Sequence, residues 1–483
     1  MFGSELPALS TAIPGPASVA LAEKLARVEC PALTNRRARR AEQSGASHDP
    51  IAWVEAAGAN VRDADGNVYV DLTGGFGAAA LAHSHPAIVS ALHAQADRLL
   101  HALGDVQPSD MKVELLDELG KLAPFPARVI LGLSGADAVE AALKTAMLHT
   151  KRPGVVAFEG GYHGLSHGPL AACGYGEGFR SPFAEQLNPH VSFAPYPRES
   201  DSVSIAFEHV TRALNALDSR AGAILVEPIQ GRGGVHVPPP GFLKALSELA
   251  RAHQLVLIVD EIYTGLGRTG HTLHHVAQGC DADLICLGKA LGGGVPISAC
   301  LGREEVMAAW GDPGGEAIHT STFLGNPLAC AAALAFLKTM ATSDLAARME
   351  ERGQALRQAL APLSKYGVSV RGAGLLLGVA LGDPSRVLGA MRGLLERGYI
   401  TCPAGAPPSV LCLTPPVCLS DEQIAGFCGA LEEWVTGSVA VADNAHVNVR
   451  GRDQSDVGVS VVVDGDGDGD APPPPHCPHP ERS

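Results

Sequence analysis

The sequence predicts an α/β fold built on a mostly parallel sheet covered by helices on both faces. One observation is the run of short, continuous apolar segments: Val129-Ile130-Leu131, Val155-Val156-Ala157-Phe158, Ala223-Ile224-Leu225-Val226, Leu255-Val256-Leu257-Ile258-Val259 and Leu284-Ile285-Cys286-Leu287. A strand apolar at every position is buried on both faces, unlike the in–out alternation of a half-solvated antiparallel strand. The other is that helical patterns separate these segments from about residue 87 onward, which is the order of parallel strands joined by crossovers. The chain has 483 residues, 46% hydrophobic and 18% charged, enough to bury a large core. Length alone suggests roughly two to four domains, although large α/β units run longer than the average domain.

Taken in order, residues 1–30 are weakly patterned and are expected to wrap over the body or fray. Residues 51–72 read as strands with a turn: Ala52-Trp53-Val54-Glu55-Ala56, the turn Asp63-Ala64-Asp65-Gly66-Asn67, and Val68-Tyr69-Val70-Asp71-Leu72. The Asp-Gly pair is a hairpin signal. After the α/β alternation, a second α/β unit opens near 330 with the helical run Leu328 to Met340 and closes near Glu433. Beyond about 440 the pattern dissolves. Asp464 to Asp470 alternates Asp and Gly, Pro472 to Pro475 follows, and His476, Cys477 and His479 stand near the end. Such a tail cannot bury a core and is expected to be disordered. The Asp/Gly run lacks the closing glutamate and flanking helices of a calcium loop.

The formal net charge of −15 argues against nucleic acid, whose partners neutralise phosphates with Lys and Arg. The 11 cysteines follow no regular spacing, and several sit in apolar runs, as expected of reduced thiols in a cytoplasmic enzyme. No basic start precedes an apolar run, so no secretory signal is expected. No apolar stretch reaches the ~18 residues of a membrane span.

In an open α/β sheet, ligands bind beyond the carboxyl ends of strands. Asp260 stands at one such end, and a second strand ends at Gly288-Lys289, followed by Gly292-Gly293-Gly294. A carboxylate and an amine at one sheet edge could be a structural ion pair. They are also the groups that pyridoxal phosphate (PLP) chemistry needs, one for the pyridinium nitrogen and one for a Schiff base. A third strand leads through Gly132-Leu133-Ser134-Gly135-Ala136-Asp137 into a helix, whose first amides would bind an anion. The Ser134/Asp137 spacing is equally that of a capping box.

These residues fall into motifs. In order they are His83-Ser84-His85-Pro86, Ser134-Gly135-Ala136-Asp137, Tyr162-His163-Gly164, Glu227-Pro228-Ile229-Gln230-Gly231, Asp260-Glu261-Ile262 through Gly267-Arg268-Thr269-Gly270, Gly288-Lys289-Ala290, and Ser321-Thr322-Phe323 with Gly325-Asn326-Pro327. From about residue 50 to 435 the chain resembles the class III, fold-type I aminotransferases, the group of the 4-aminobutyrate and ornithine enzymes. The resemblance implies a large PLP-binding domain over 76–328 with a mostly parallel seven-stranded sheet. It implies a smaller α/β domain from 1–75 and 329–437, with 438–483 as a tail. It implies that Lys289 forms the Schiff base and Asp260 keeps the pyridine nitrogen protonated, with Glu227 behind it. Ser134, Gly135 and Ala136 would hold the phosphate, and Tyr162 and Ile262 would cover the ring faces. His163 and Tyr263 complete the cofactor set. Thr322 would reach the cofactor of a partner subunit in a homodimer. The histidines 83, 85, 271, 274 and 275 read as structural rather than as metal ligands.

The chain departs from the family where substrate is chosen. Leu165 replaces the arginine that follows Tyr-His-Gly in the 4-aminobutyrate enzymes. Arg232 replaces a glutamate after Gly231, and Cys412 replaces the arginine that pairs with it. Arg232 is therefore expected to supply the anion anchor through paired hydrogen bonds. Tyr263 stands where many relatives have glutamine, and Phe76 where relatives line the substrate entrance. The expected reaction is transamination between an amine or amino acid, such as an ω-amino acid or diamine, and a 2-oxo acid. The alternative is a racemase or epimerase using the same lysine.

Overall fold

The computed structural model of the protein describes residues 2–43, 50–311, 314 and 316–450, with 438–450 by their backbone alone. Residues 1–436 cluster as one compact unit and 437–483 as another. The first begins with β1 (Trp53–Ala57), β2 (Asn60–Asp63) and β3 (Val68–Asp71), paired antiparallel. The β2–β3 turn is closed by Asp63, whose Oδ1 accepts from the amides of Asp65 (3.0 Å) and Asn67 (2.9 Å). Gly66, at φ +86°, takes the left-handed position that this turn requires. Buried Asn60 and Asn67 turn their side-chain oxygens outward to the chain's beginning: Asn60 accepts from Gly3 and Glu5, and Asn67 from Ser10 and Thr11. The N-terminal segment thus wraps over the body, and Asp65 accepts from Ala17 and Ser18 in the first turn of the helix Pro16–Val28.

The central sheet comprises β4 (Ala127–Gly132), β5 (Gly154–Phe158), β6 (Val191–Ala194), β7 (Ala221–Val226), β8 (Val256–Asp260), β9 (Leu284–Leu287) and β10 (Ser298–Arg303). Its seven strands run in the order β4-β10-β9-β8-β7-β5-β6. Only β10 opposes the rest, pairing antiparallel with both β4 and β9. Successive side chains alternate faces. Leu257, Val259, Ile285 and Leu287 therefore join one core with the helices Val203–Leu217 and Phe242–Ala252, and Val256, Ile258, Leu284 and Cys286 join the other with the helix Gly135–Thr150. Both faces are covered, which is why these strands read as unbroken apolar runs.

The helix Pro327–Thr342 is capped by Asn326, whose side chain accepts from Leu328 and Ala329. The chain then forms β11 (Ser369–Ala373), β12 (Leu376–Ala380), β13 (Tyr399–Ile400), β14 (Cys402–Ala404) and β15 (Val410–Leu413). β13 adds parallel to β3, while the others make an antiparallel sheet in the order β11-β12-β15-β14. The last helix, Asp421–Arg450, runs past the point near 440 where the sequence pattern ends. The rest of the expected tail, with its Asp/Gly and Pro runs, lies outside the described residues. Among the described residues no single helix is long and apolar enough to cross a membrane.

Arg268 ties these parts together. It is 1% exposed, and its guanidinium donates to the carbonyls of Pro415 (2.7 Å), Leu375 (3.4 Å) and Gly77 (3.4 Å). The segment after β8 thereby holds both the turn after β3 and the C-terminal strands. Arg268→Leu should lower stability by about 3 kcal/mol, because it removes charged donors from buried carbonyls. The loss should appear as a lower denaturant midpoint at unchanged slope. An unshifted midpoint would mean that these carbonyls do not depend on Arg268.

Candidate active site

β7, β8 and β9 lie side by side and parallel, with Val226 opposite Val259 and Asp260 opposite Cys286. Their carboxyl ends therefore deliver Glu227, Asp260 and Gly288-Lys289 to one edge. Asp260 is 4% exposed. Its Oδ2 lies 2.7 Å from His163 Nδ1, and its Oδ1 accepts from the Ile262 amide at 3.1 Å. Burial pulls the His163 pKa down, but the bond to Asp260 and the charges of Asp260 and Glu227 outweigh it, so the net shift is upward.

Glu227 is buried, with both oxygens engaged: Oε1 accepts from the Tyr162 amide (2.9 Å) and Oε2 from the Gly231 amide (3.0 Å). One carboxylate thus fixes the backbone beside two side chains that meet, those of Tyr162 and Arg232. Burial pushes Glu227 up to about 6, His163 opposes, and the Asp260 charge adds to the rise. Lys289 opens a short turn, Lys289–Gly292, at φ +39°. A non-glycine residue there is held by its surroundings, a frequent trait of functional sites. Its Nζ lies 4.0 Å from the centroid of the Tyr263 ring. Burial lowers its pKa, against the opposing charges of Asp260 and Glu227.

The turn after β4 is a candidate anion cradle. Ser134 and Asp137 form the reciprocal capping box at the start of the helix Gly135–Thr150, and Asp137 also accepts from the Leu133 amide. That cap satisfies the neighbouring amides but leaves those of Gly135 and Ala136 without an acceptor among the described residues. Free N–H groups at a helix N-terminus fit a phosphate. A Cβ on Gly135 would come 2.8 Å from Ile262 Cδ1, and one on Gly164 2.6 Å from the Ala136 side chain. Glycines at these positions bring Ile262 and the Tyr-His-Gly loop against the cradle. An amine on Lys289, a buried Asp260, a cradle at Gly135-Ala136 and Ile262 between them fit pyridoxal phosphate.

The substrate-side residues divide. Arg232 is half-buried, with its guanidinium 4.2 Å from the Tyr162 ring centroid and 4.9 Å from that of Tyr175. The two rings meet edge to face at 5.8 Å. Cys412, on β15, is buried, and its Sγ lies 3.7 Å from the Tyr263 hydroxyl. Burial pushes its thiol up to about 11, so the side chain there is neutral. Phe76 is 65% exposed, at φ +61° in the turn beside Tyr263's neighbour Gly77. Thr322 is exposed in the turn Ser321–Leu324, and Leu165 is exposed too. Sequence reading gave no specific role to His163, whose only signal was its motif, and none at all to Tyr175 or Thr414, which lie in no motif. Glu261 and His275 pair with each other, Oε1 to Nδ1 at 2.8 Å.

The class III aminotransferase profile ("Aminotransferase class-III") matches residues 42–435. The acetylornithine aminotransferase of Methanopyrus kandleri is 39% identical over 70% of this chain and 83% of its own length. That of Mycolicibacterium smegmatis is 37% identical over 79% of this chain and 93% of its own. The 2-aminoadipate transaminase of Pseudomonas putida is 33% identical over 81% and 97%. Among solved structures, a PLP-bound amine transaminase from an uncultivated Pseudomonas species superposes with a TM-score of 0.74 at 26% identity, covering 80% of this chain and 95% of that one. The chain therefore belongs to the class III aminotransferases and is a pyridoxal-phosphate-dependent transaminase.

Proposed function

We propose that this transaminase works on an amine that carries a carboxylate away from its reacting nitrogen, with a 2-oxo acid as partner, and that Arg232 binds that carboxylate. The observation that carries the reading is the setting of Arg232. Its guanidinium is held between Tyr162 and Tyr175, and no carboxylate pairs with it among the described residues. Its positive charge also lowers the pKa of Lys289, after burial. Rings that stack a guanidinium leave its in-plane donors for a carboxylate. The family's acidic partner at this position is gone, so no internal carboxylate competes. Acetylornithine and 2-aminoadipate, named for the relatives, both carry carboxylates.

Pyridoxal phosphate, when bound, supplies a carbonyl for a Schiff base and an electron-withdrawing ring. Lys289 provides the amine and, when free, moves a proton at the substrate carbon. Asp260, oriented by His163, receives the proton-bearing ring nitrogen. Glu227 acts behind both by fixing the loops of Tyr162 and Arg232. The amides of Gly135 and Ala136 and the Ser134 hydroxyl bind the phosphate, while Tyr162 and Ile262 cover the ring, with Tyr263 beside Lys289. Phe76 and Cys412 face the substrate side.

A homodimer completes the site in this reading, with Thr322 reaching the partner's cofactor. Supporting it is an exposed apolar patch around Thr322: Leu100, Leu103, Val106, Ile318 and Phe323. The two loops that form it touch, with Phe323 5.3 Å from His101 and Asn326 bonded to the Leu100 carbonyl. Burying such a patch against a second copy removes apolar surface from water. We also assign the enzyme to the cytoplasm, because every cysteine among the described residues is unpaired.

Arg232→Gln should raise KM for carboxylate-bearing donors roughly 10- to 100-fold with little change in kcat. A neutral amine should be unaffected. Steady-state kinetics on such a pair of donors tests this, and an unchanged KM for every acidic substrate would falsify the anchor. Glu227 gives a second test. Its folded pKa of about 6 lies above the ordinary 4.5, so its contribution to stability is present below about 4.5 and lost as pH rises through about 6. Wild type should therefore gain stability relative to Glu227→Gln as pH falls across that window in denaturant titrations. A pH-independent difference would show that Glu227 titrates normally.

A further inference from the structure

Tyr263 departs from the glutamine of many relatives, and its surroundings give the departure a shape. The ring is wedged between two glycines: a Cβ on Gly231 would lie 2.1 Å from its Cδ1, and one on Gly77 2.7 Å from its Cε2. Its hydroxyl is tied at the far end, 3.4 Å from Thr414 Oγ1 and 3.7 Å from Cys412 Sγ. Thr414 donates its own proton to the Thr73 carbonyl at 2.7 Å, so at that bond Tyr263 is the donor. Tyr263 stays a neutral phenol, because burial raises its pKa well above 10. Glycine at both positions leaves the room that the ring occupies, and the hydroxyl contacts hold its far end. Against its face lies Lys289 Nζ, 4.0 Å from the centroid.

We propose that Tyr263 is a positioning residue: its fixed ring face holds the Lys289 ammonium whenever that amine is not joined to the cofactor. This rests on Lys289 being the reactive lysine. An aromatic face attracts a cation through its quadrupole, and most strongly where water is excluded. A buried lysine is otherwise driven towards its neutral form. The groups that act on Lys289 are Asp260, Glu227 and Cys412, which favour its charge, and Arg232, which opposes it. The ring adds a contact to the charged form that a glutamine could make only by hydrogen bonding. It also gives the amine a defined resting place one ring away from Cys412 and Thr414, on the substrate side. The face thereby favours the ammonium that Lys289 becomes when, acting as a base, it takes up a proton.

The test uses the full-length enzyme in its pyridoxamine-phosphate form, in which Lys289 is free. Borohydride reduction of the pyridoxal-phosphate form, with peptide mapping, first confirms which lysine carries the cofactor. Competitive acetylation across pH, read by mass spectrometry of the Lys289 peptide, then gives the midpoint at which the amine becomes reactive. Tyr263→Phe keeps the ring and should keep the midpoint, whereas Tyr263→Leu should lower it by about one pH unit. Because Tyr263→Leu empties a buried site at a cost in stability, phenylalanines bearing one, two and three ring fluorines at position 263 provide the shape-preserving series. Their weakened quadrupoles should lower the midpoint in steps. Coincident midpoints across that series, on a confirmed Lys289, would overturn the proposal alone. A shift in Tyr263→Phe as large as that in Tyr263→Leu would also overturn it, by moving the effect to the hydroxyl. Cofactor fixed to another lysine would overturn the assignment of Lys289 as well.

Discussion

Charges taken out of water must be paired, and this structure is arranged around two carboxylates buried at adjacent strand ends. Asp260 is engaged by His163 and by the Ile262 amide, and Glu227 by the amides of Tyr162 and Gly231. Each bond that satisfies a carboxylate also fixes a loop. The Tyr162-His163-Gly164 segment is held twice, by Glu227 through its backbone and by Asp260 through its imidazole. The Gly231-Arg232 segment is held by the second Glu227 oxygen. Electrostatic necessity at the sheet edge thus sets the place of the rings and of the guanidinium that meet above it.

The same logic bears on the substrate side. On the family pattern that the resemblance implies, Arg232 in place of a glutamate and Cys412 in place of an arginine move positive charge from β15 to the loop after β7. The buried thiol on β15 needs no counter-charge, since burial keeps it protonated. The guanidinium finds the faces of Tyr162 and Tyr175 instead of a carboxylate. Neither exchange touches Asp260, Glu227 or the cradle. Tyr263 occupies the space between the two altered positions, packed on Gly231 and bonded towards Cys412.

Around this site the fold relies on Arg268, a buried guanidinium that holds backbone carbonyls from segments nearly 340 residues apart in sequence, Gly77 and Pro415. The altered strand and the glycine turn that flank Tyr263 are therefore clamped by one side chain near β8. The geometry at Lys289 depends on this clamp as much as on its own strand.

By itself the sequence determined the central sheet and placed a carboxylate and an amine at one of its edges. Strands buried on both faces are written as unbroken apolar runs, and a charged residue directly after such a run must emerge at the strand end. Asp260 and Lys289 were legible for that reason, and the Gly-rich turn before the helix at Gly135 for a similar one. The short motifs in order carried the family. Tertiary structure alone decided the partners. That His163 bonds Asp260, that Tyr175 joins Tyr162 around Arg232, that Thr414 tethers Tyr263, and that the Tyr263 ring faces Lys289 are contacts between residues from 13 to 151 positions apart. No periodicity or local propensity records such contacts. They arise only when loops from different strand ends pack against one another, and the shape of that packing is set by the whole sheet.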